Sequence, residues 1–143
     1  FRQQKETGKL TITNTEMTRF WITLDQACQL VEHALAASKG GEVFVPKLPS
    51  IKITDLAKAI APQAKGMVNG MRSGEKLHEV LITEEESVRS VDKKDHLVIL
   101  PQFPFWGRKF KYKEDTNKRF IYGSKDNQQW LSITQLQRML AKN

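Results

Sequence analysis

The chain is 143 residues long, 39% hydrophobic and 27% charged, with 23 Lys+Arg against 16 Asp+Glu for a net charge of +7. That length holds one domain with a real core, and no apolar run approaches the ~18 residues that a membrane span requires. A single cysteine, Cys28, excludes an internal disulfide and fits a reducing, cytoplasmic setting.

The positive balance favours anionic partners, either nucleic acid or phosphorylated small molecules. Its densest stretch is "RKFKYKEDTNKR" (108–119), while "EEE" (84–86) is an acidic patch. The opening "FRQQKETGK" starts at Phe1 and has the character of neither a signal nor a transit sequence. It reads as the interior of a longer chain.

In chain order, "KLTIT" (9–13) alternates polar and apolar residues as a half-buried strand does. Residues 23–37 place Leu24, Ala27, Cys28, Leu30, Val31, Ala34 and Leu35 on one helical stripe, with Thr23 as N-cap and "SKGG" as the break. Cys28, in the middle of that pattern, is expected to be buried. "EVFVP" (42–46) is a short strand stopped by proline. After a "KLPS" loop, "ITDLAKAIA" (53–61) resumes helical spacing, capped by Thr54 and ended by Pro62. "KGMVNGM" (65–71) is a weaker strand leading to Arg72, and "GEKLHEVLI" (74–82) has helix-start chemistry. "HLVILP" (96–101) is a buried strand, and 102–125 is mostly loop with one aromatic-basic strand. "SITQLQRMLA" (132–141) is a closing helix capped at Ser132 or Thr134, with Trp130 anchoring it in the core. Strands alternating with helices argue an α/β fold.

Several catalytic signatures are absent from the sequence. There is no glycine fingerprint for a dinucleotide, no phosphate loop, no Cys/His metal spacing and no nucleophile elbow. His33, His78 and His96 lack partners at metal spacing and take structural or surface roles. The chemistry concentrates instead in "GMRSGEKLHE" (70–79). Arg72 stands at a turn between glycines, where a planar guanidinium fork suits a phosphate and an expected helix start adds its dipole. Glu75, three residues on, is an acceptor-only group of the kind that holds ribose diols. A second such place is "EMTRFWITLDQA" (16–27), where Arg19 is flanked by Thr18, Phe20 and Trp21. If Arg19 and Arg72 converge, they form a two-pronged clamp for a diphosphate. The plainer alternative, a solvated turn in which Glu75 complements a helix dipole, suits the same residues.

The blocks "ITNTEMTRFWITLDQA", "GGEVFVPKLPSIKITDLAKAIAP", "GMRSGEKLHEVLI" and, more faintly, "DNQQWLSITQLQRML" resemble successive parts of the inverting UDP-N-acetylglucosamine 4,6-dehydratases of bacterial surface-sugar biosynthesis. These are extended short-chain dehydrogenase/reductase relatives. The resemblance implies an α/β fold of short strands alternating with helices, forming the C-terminal substrate-binding portion of such an enzyme across 1–143 with the dinucleotide-binding half absent. It implies that Arg19 and Arg72 contact the diphosphate of a UDP-sugar and Glu75 its ribose. Thr18, Lys47 and Pro46 are grouped with them as substrate-binding, the last two on a loop bordering the nucleotide. In that family NADP is bound by the N-terminal half. A hydride leaves sugar C4, water is lost across C5–C6, and hydride returns at C6 with inversion at C5.

Two departures stand out. Ser73 occupies a position where the family usually has proline, which loses a fixed φ. Tyr112 and Tyr122 are not followed by lysine at the fourth position, so the family's tyrosine–lysine pair is missing along with the cofactor loop, and the chain is not expected to catalyse alone. Segments near 23–46 are expected to pack on the missing Rossmann half, leaving the isolated chain marginal or self-associating, with a homo-oligomer possible for the parent. Two other readings compete. One is a stand-alone sugar-nucleotide-binding module. The other, less favoured, is a nucleic-acid-binding domain using the interleaved aromatic and basic residues of 106–122.

Overall fold

The computed structural model describes residues 1–103 and 119–141. Its elements, in chain order, are α1 (Arg2–Lys5), β1 (Lys9–Ile12), β2 (Thr18–Phe20), α2 (Leu24–Ala37), β3 (Val43–Pro46), β4 (Ser50–Lys52), α3 (Ile53–Ile60), β5 (Lys65–Val68), β6 (Val80–Ile82), α4 (Glu84–Ser87), β7 (Ser90–Asp92), β8 (His96–Ile99), β9 (Tyr122–Gly123) and α5 (Ile133–Ala141). The fold is α/β, and it divides into two compact units. One is Phe1–Trp21 with Pro49–Glu79 and Ser124–Asn143; the other is Ile22–Leu48 with Val80–Gly123.

In the first unit, β1 and β5 pair in parallel with Leu10 opposite Gly66 and Ile12 opposite Val68. The alternation read from "KLTIT" is realised: Leu10 and Ile12 are buried against Ala57 and Ala61 of α3. All four residues of β5 are exposed. The short β2 pairs antiparallel with β4, Arg19 opposite Ile51. A second cluster joins Ile51, Ala59 and Leu136, with Trp21, Leu56 and Leu131 packed around it, so α3 is apolar on two sides. Thr54 is not its cap. The chain runs straight from β4 into the helix, Lys52 is the N-cap, and the Ile53 N–H donates to Met17 O at 3.0 Å instead. Before α5, the Gln135 N–H donates to Ser132 Oγ at 3.3 Å and the Ser132 N–H to Gln135 Oε1 at 2.8 Å, a reciprocal cap as expected. Trp130 does not anchor that helix. It is exposed, its indole N–H donating to Asn127 O, and fully buried Leu136 holds the helix instead.

In the second unit, β3, β8 and β7 form an antiparallel sheet in that order, and β6 pairs with β9. Val45, Ile82, Leu97 and Ile99 make its core, with Tyr122 packed against it. Thr23 caps α2 reciprocally with Gln26, and Gly40 and Gly41 both take positive φ after it, which suits glycine alone. The acidic triplet 84–86 is the first turn of the short α4, capped by Thr83. Two expectations fail here. The segment 74–82 is not a helix but a turn followed by β6, because Gly74 sits at φ +79° and Val80–Ile82 pairs with β9. Nor is Cys28 buried. It is exposed, and α2 buries none of its residues, Leu24 and Leu35 being 80% and 79% exposed. The basic stretch 104–118 lies outside the described residues.

Candidate functional site

The turn at 72–75 closes on itself. The Glu75 N–H donates to Arg72 O at 3.1 Å, and the Arg72 N–H donates to Glu75 Oε2, also at 3.1 Å. Gly74, third of the four turn residues, supplies the positive φ that a side chain would resist. The result is a half-buried carboxylate folded over its own turn beside an exposed arginine. The Arg72 guanidinium has no partner among the described residues. The anion-binding case for this turn therefore rests on that guanidinium, without a helix dipole behind it.

Arg19 reaches the same loop from β2. Its Nη1 donates to Thr18 O at 2.7 Å and Leu77 O at 3.2 Å, its Nη2 to Lys76 O at 2.8 Å, and its Nε pairs with Glu79 Oε1 at 3.4 Å. A guanidinium carries five N–H donors in a rigid fork. Four acceptors engage Arg19, which leaves one N–H on Nη2 for anything else. Arg19 thus fastens the segment carrying Arg72 and Glu75, and both arginines serve one loop, 72–79.

Thr18 is buried and its hydroxyl faces protein, 2.8 Å from His78 Nδ1 and 2.7 Å from Ser124 Oγ. Neither Ser124 nor the part His78 plays is legible in the sequence, since Ser124 meets Thr18 across 106 positions. The pattern "TxF" or "YGS" carries no signal for such a contact.

Pro46 and Lys47 belong to the second unit. Pro46 ends β3 opposite His96. The Lys47 ammonium is held by Asp92 and by Lys93 O at 2.6 Å, and the Lys47 backbone N–H donates to Asp95 O. The next residue is gripped by Tyr122, whose phenol oxygen accepts from the Leu48 N–H at 2.7 Å and donates to Leu48 O at 3.2 Å. Burial pushes the Tyr122 phenol up, against the lowering effect of its Leu48 bond and of Lys47. Lys47, Asp95 and His96 line a groove of about 360 Å³ together with Gln26, Gln29 and His33 from α2. His33 and His96 stand edge to face at 4.8 Å beside Phe44. Burial, then the neighbouring His33, holds the His96 imidazole below its ordinary value in spite of Asp95.

No cluster of three or more metal-ligating side chains exists among the described residues. Among the described residues, the positive-φ glycines of the two longer loops do not fit a dinucleotide. Gly40 and Gly41 follow a helix and precede a strand, and Gly70 and Gly74 lie in a loop between β5 and β6. A pyrophosphate cradle needs the opposite order, strand then glycines then helix. What the described residues offer on this loop is an exposed guanidinium and a carboxylate on one turn. Among the described residues it pairs no exposed nucleophile with a base.

An α/β arrangement of this kind is shared with a solved structure. The X-ray structure of Pen from Bacillus thuringiensis matches 98% of this chain over 42% of its own, with a TM-score of 0.79 and 31% identity. Residues 1–101 match the family described as polysaccharide biosynthesis protein, and the chain belongs to that family. The inverting UDP-N-acetylglucosamine 4,6-dehydratase of Campylobacter jejuni is 36% identical over 136 residues, 90% of this chain and 41% of that protein. The UDP-glucose 4-epimerase of Rickettsia rickettsii is 35% identical over 127 residues, 86% of this chain and 35% of the epimerase. The chain spans less than half the length of these curated relatives. No helix among its described residues is long and apolar enough to cross a membrane.

Proposed function

We propose that this chain is the UDP-sugar-binding portion of a nucleotide-sugar 4,6-dehydratase acting, in the cytoplasm, in the synthesis of a surface polysaccharide. The observation that carries the reading is the 72–79 loop: an exposed Arg72 that is unpartnered among the described residues, a Glu75 carboxylate on the same turn, and Arg19, which the described residues leave with one open N–H, against the same segment. In this reading Arg72 and Arg19 take the diphosphate, Glu75 takes the ribose, and Lys47 and Pro46 border the nucleotide. Thr18 supports the loop from below. The names of the dehydratase and epimerase relatives agree on a UDP-sugar while differing in the reaction, so the UDP moiety is the best-supported part of the proposal. The epimerase reading is favoured by the Rickettsia relatives. It parts from the first by product, which retains every oxygen of the sugar rather than losing one as water.

NADP belongs, in this reading, to an N-terminal dinucleotide-binding half, and would supply a hydride acceptor and donor there. The residues of this chain fix the substrate's far end so that its sugar reaches that half. The bare stripe of α2, with Leu24, Val31 and Leu35 exposed, is the surface we assign to it.

Calorimetric titration with UDP and, separately, with inorganic phosphate tests the site. Wild-type chain should prefer UDP clearly, and Glu75→Gln should lose most of that preference while keeping its phosphate affinity. Equal affinity for UDP and phosphate in the wild type would refute the assignment.

A further inference from the structure

We infer that Ser124 and His78 are positioning residues for the turn that carries Arg72 and Glu75, joined to it through Thr18 by a hydrogen-bond chain that runs in one direction. The inference deepens the UDP-site reading and rests on it for its functional meaning, though not for its geometry. Ser124 comes from near the other end of the chain and is fully buried. It grips residue 79 on both sides: the Ser124 N–H donates to Glu79 O at 2.8 Å, and the Glu79 N–H donates to Ser124 Oγ at 2.9 Å. On the other flank the Thr18 N–H donates to Leu77 O at 3.1 Å. The end of the loop is therefore fixed from β2 and from Ser124 at once, and Arg19 closes the remaining carbonyls.

The direction follows from counting protons. Ser124 Oγ already accepts from a backbone N–H, which can only donate. Its own proton needs an acceptor, because a buried donor left bare bears its full desolvation cost. Among the described residues the atom in reach is Thr18 Oγ1 at 2.7 Å. Thr18 then accepts from Ser124 and must donate its proton onward, to His78 Nδ1 at 2.8 Å. That makes Nδ1 an acceptor and places the imidazole proton on Nε2. Reversing the first bond strands the Ser124 proton, and reversing the second strands that of Thr18. His78 is thus the terminal acceptor of a chain whose other end holds Glu79, the residue that pairs with Arg19.

Amide hydrogen exchange of the chain, with nitrogen-15 spectra of its histidines, reads this directly. In the wild type, His78 should show a bare Nδ1 and a protonated Nε2. Ser124→Ala and His78→Leu should each speed exchange at the Glu75 and Glu79 amides roughly ten-fold, with the β1–β5 amides unchanged. His78→Asn, which keeps an acceptor near the Nδ1 position, should restore protection. A protonated Nδ1, or loop exchange in both His78 variants equal to wild type, would overturn the proposal. Should Ser124→Ala not fold, the His78→Leu and His78→Asn pair decides it. A UDP titration beside these variants separates the two claims. Wild-type chain that ignores UDP while the loop responds to the mutations defeats the site reading alone, and chain that binds UDP with an unresponsive loop defeats the positioning chain alone.

Discussion

At the scale of single residues, charge is used in two ways. Arg72 is exposed with its fork open, whereas Arg19 is engaged by four acceptors. Removing them should therefore look different. Arg72→Ala is expected to weaken UDP binding roughly ten- to hundred-fold, the usual worth of hydrogen bonds to a charged group, with no change in the urea midpoint. Arg19→Ala should lower both affinity and stability, because the loop carbonyls of Lys76 and Leu77 lose a donor and Glu79 its ion pair. Parallel titration and urea denaturation distinguish the two, and an Arg72→Ala that unfolds the chain would contradict this division. Glu42 offers a pH-dependent case. Burial pushes its carboxyl up, but hydrogen bonds from its own N–H, Gly40, Lys39 and Ser38 outweigh that and hold it below the usual carboxylate range. A group depressed in the folded chain adds stability above its unfolded pKa of about 4.3, and the gain disappears as pH falls through the folded value. Urea midpoints measured from pH 7 to 3 should fall more steeply for wild type than for Glu42→Gln; parallel curves would deny Glu42 this role.

At the scale of elements, the three longer helices and the strands β1, β3, β5 and β8 were legible, while β2, β4, β6 and β7 were not. The apolar spacing of α2, α3 and α5 and the caps of α2 and α5 lie within each segment, so the sequence carries them locally. Segment 74–82 misleads because Leu77, Val80 and Leu81 imitate a helical face. Its true state depends on Gly74 at positive φ and on a partner strand at Tyr122–Gly123, neither of which a local window contains. The three-residue β2 and β4 take their strand form from partners distant in sequence, each other above all. The same limit applied to the site. Arg19, Arg72 and Glu75 stand out by residue type beside glycines and aromatics, while Ser124 is invisible until the fold brings it to Thr18. Cys28 fails for another reason: an apolar stripe says that a helix wants a cover, not that this chain supplies one. The exposed Leu24, Val31 and Leu35 should associate at ~25 cal/mol per Å² of apolar area removed from water. Sedimentation should show wild-type chain self-associating with concentration and a Leu24→Ser, Leu35→Ser double variant shifted to monomer. A wild type that stays monomeric at high concentration would contradict this.

At the scale of the whole chain, two compact units divide the expected site residues. Thr18, Arg19, Arg72 and Glu75 fall in one unit, Pro46 and Lys47 in the other. The first unit holds the open guanidinium, the carboxylate and the buried hydroxyl chain beneath them; the second holds a lysine already tied to the 92–95 turn. The loop of the first unit is accordingly the expected centre of recognition. The most direct measurement is residue-resolved: backbone amide spectra of the nitrogen-15-labelled chain recorded as UDP is added. The account predicts saturable shifts centred on Arg19 and residues 72–79. Shifts that leave those amides untouched and gather elsewhere, on α5 or β1 for instance, would contradict it.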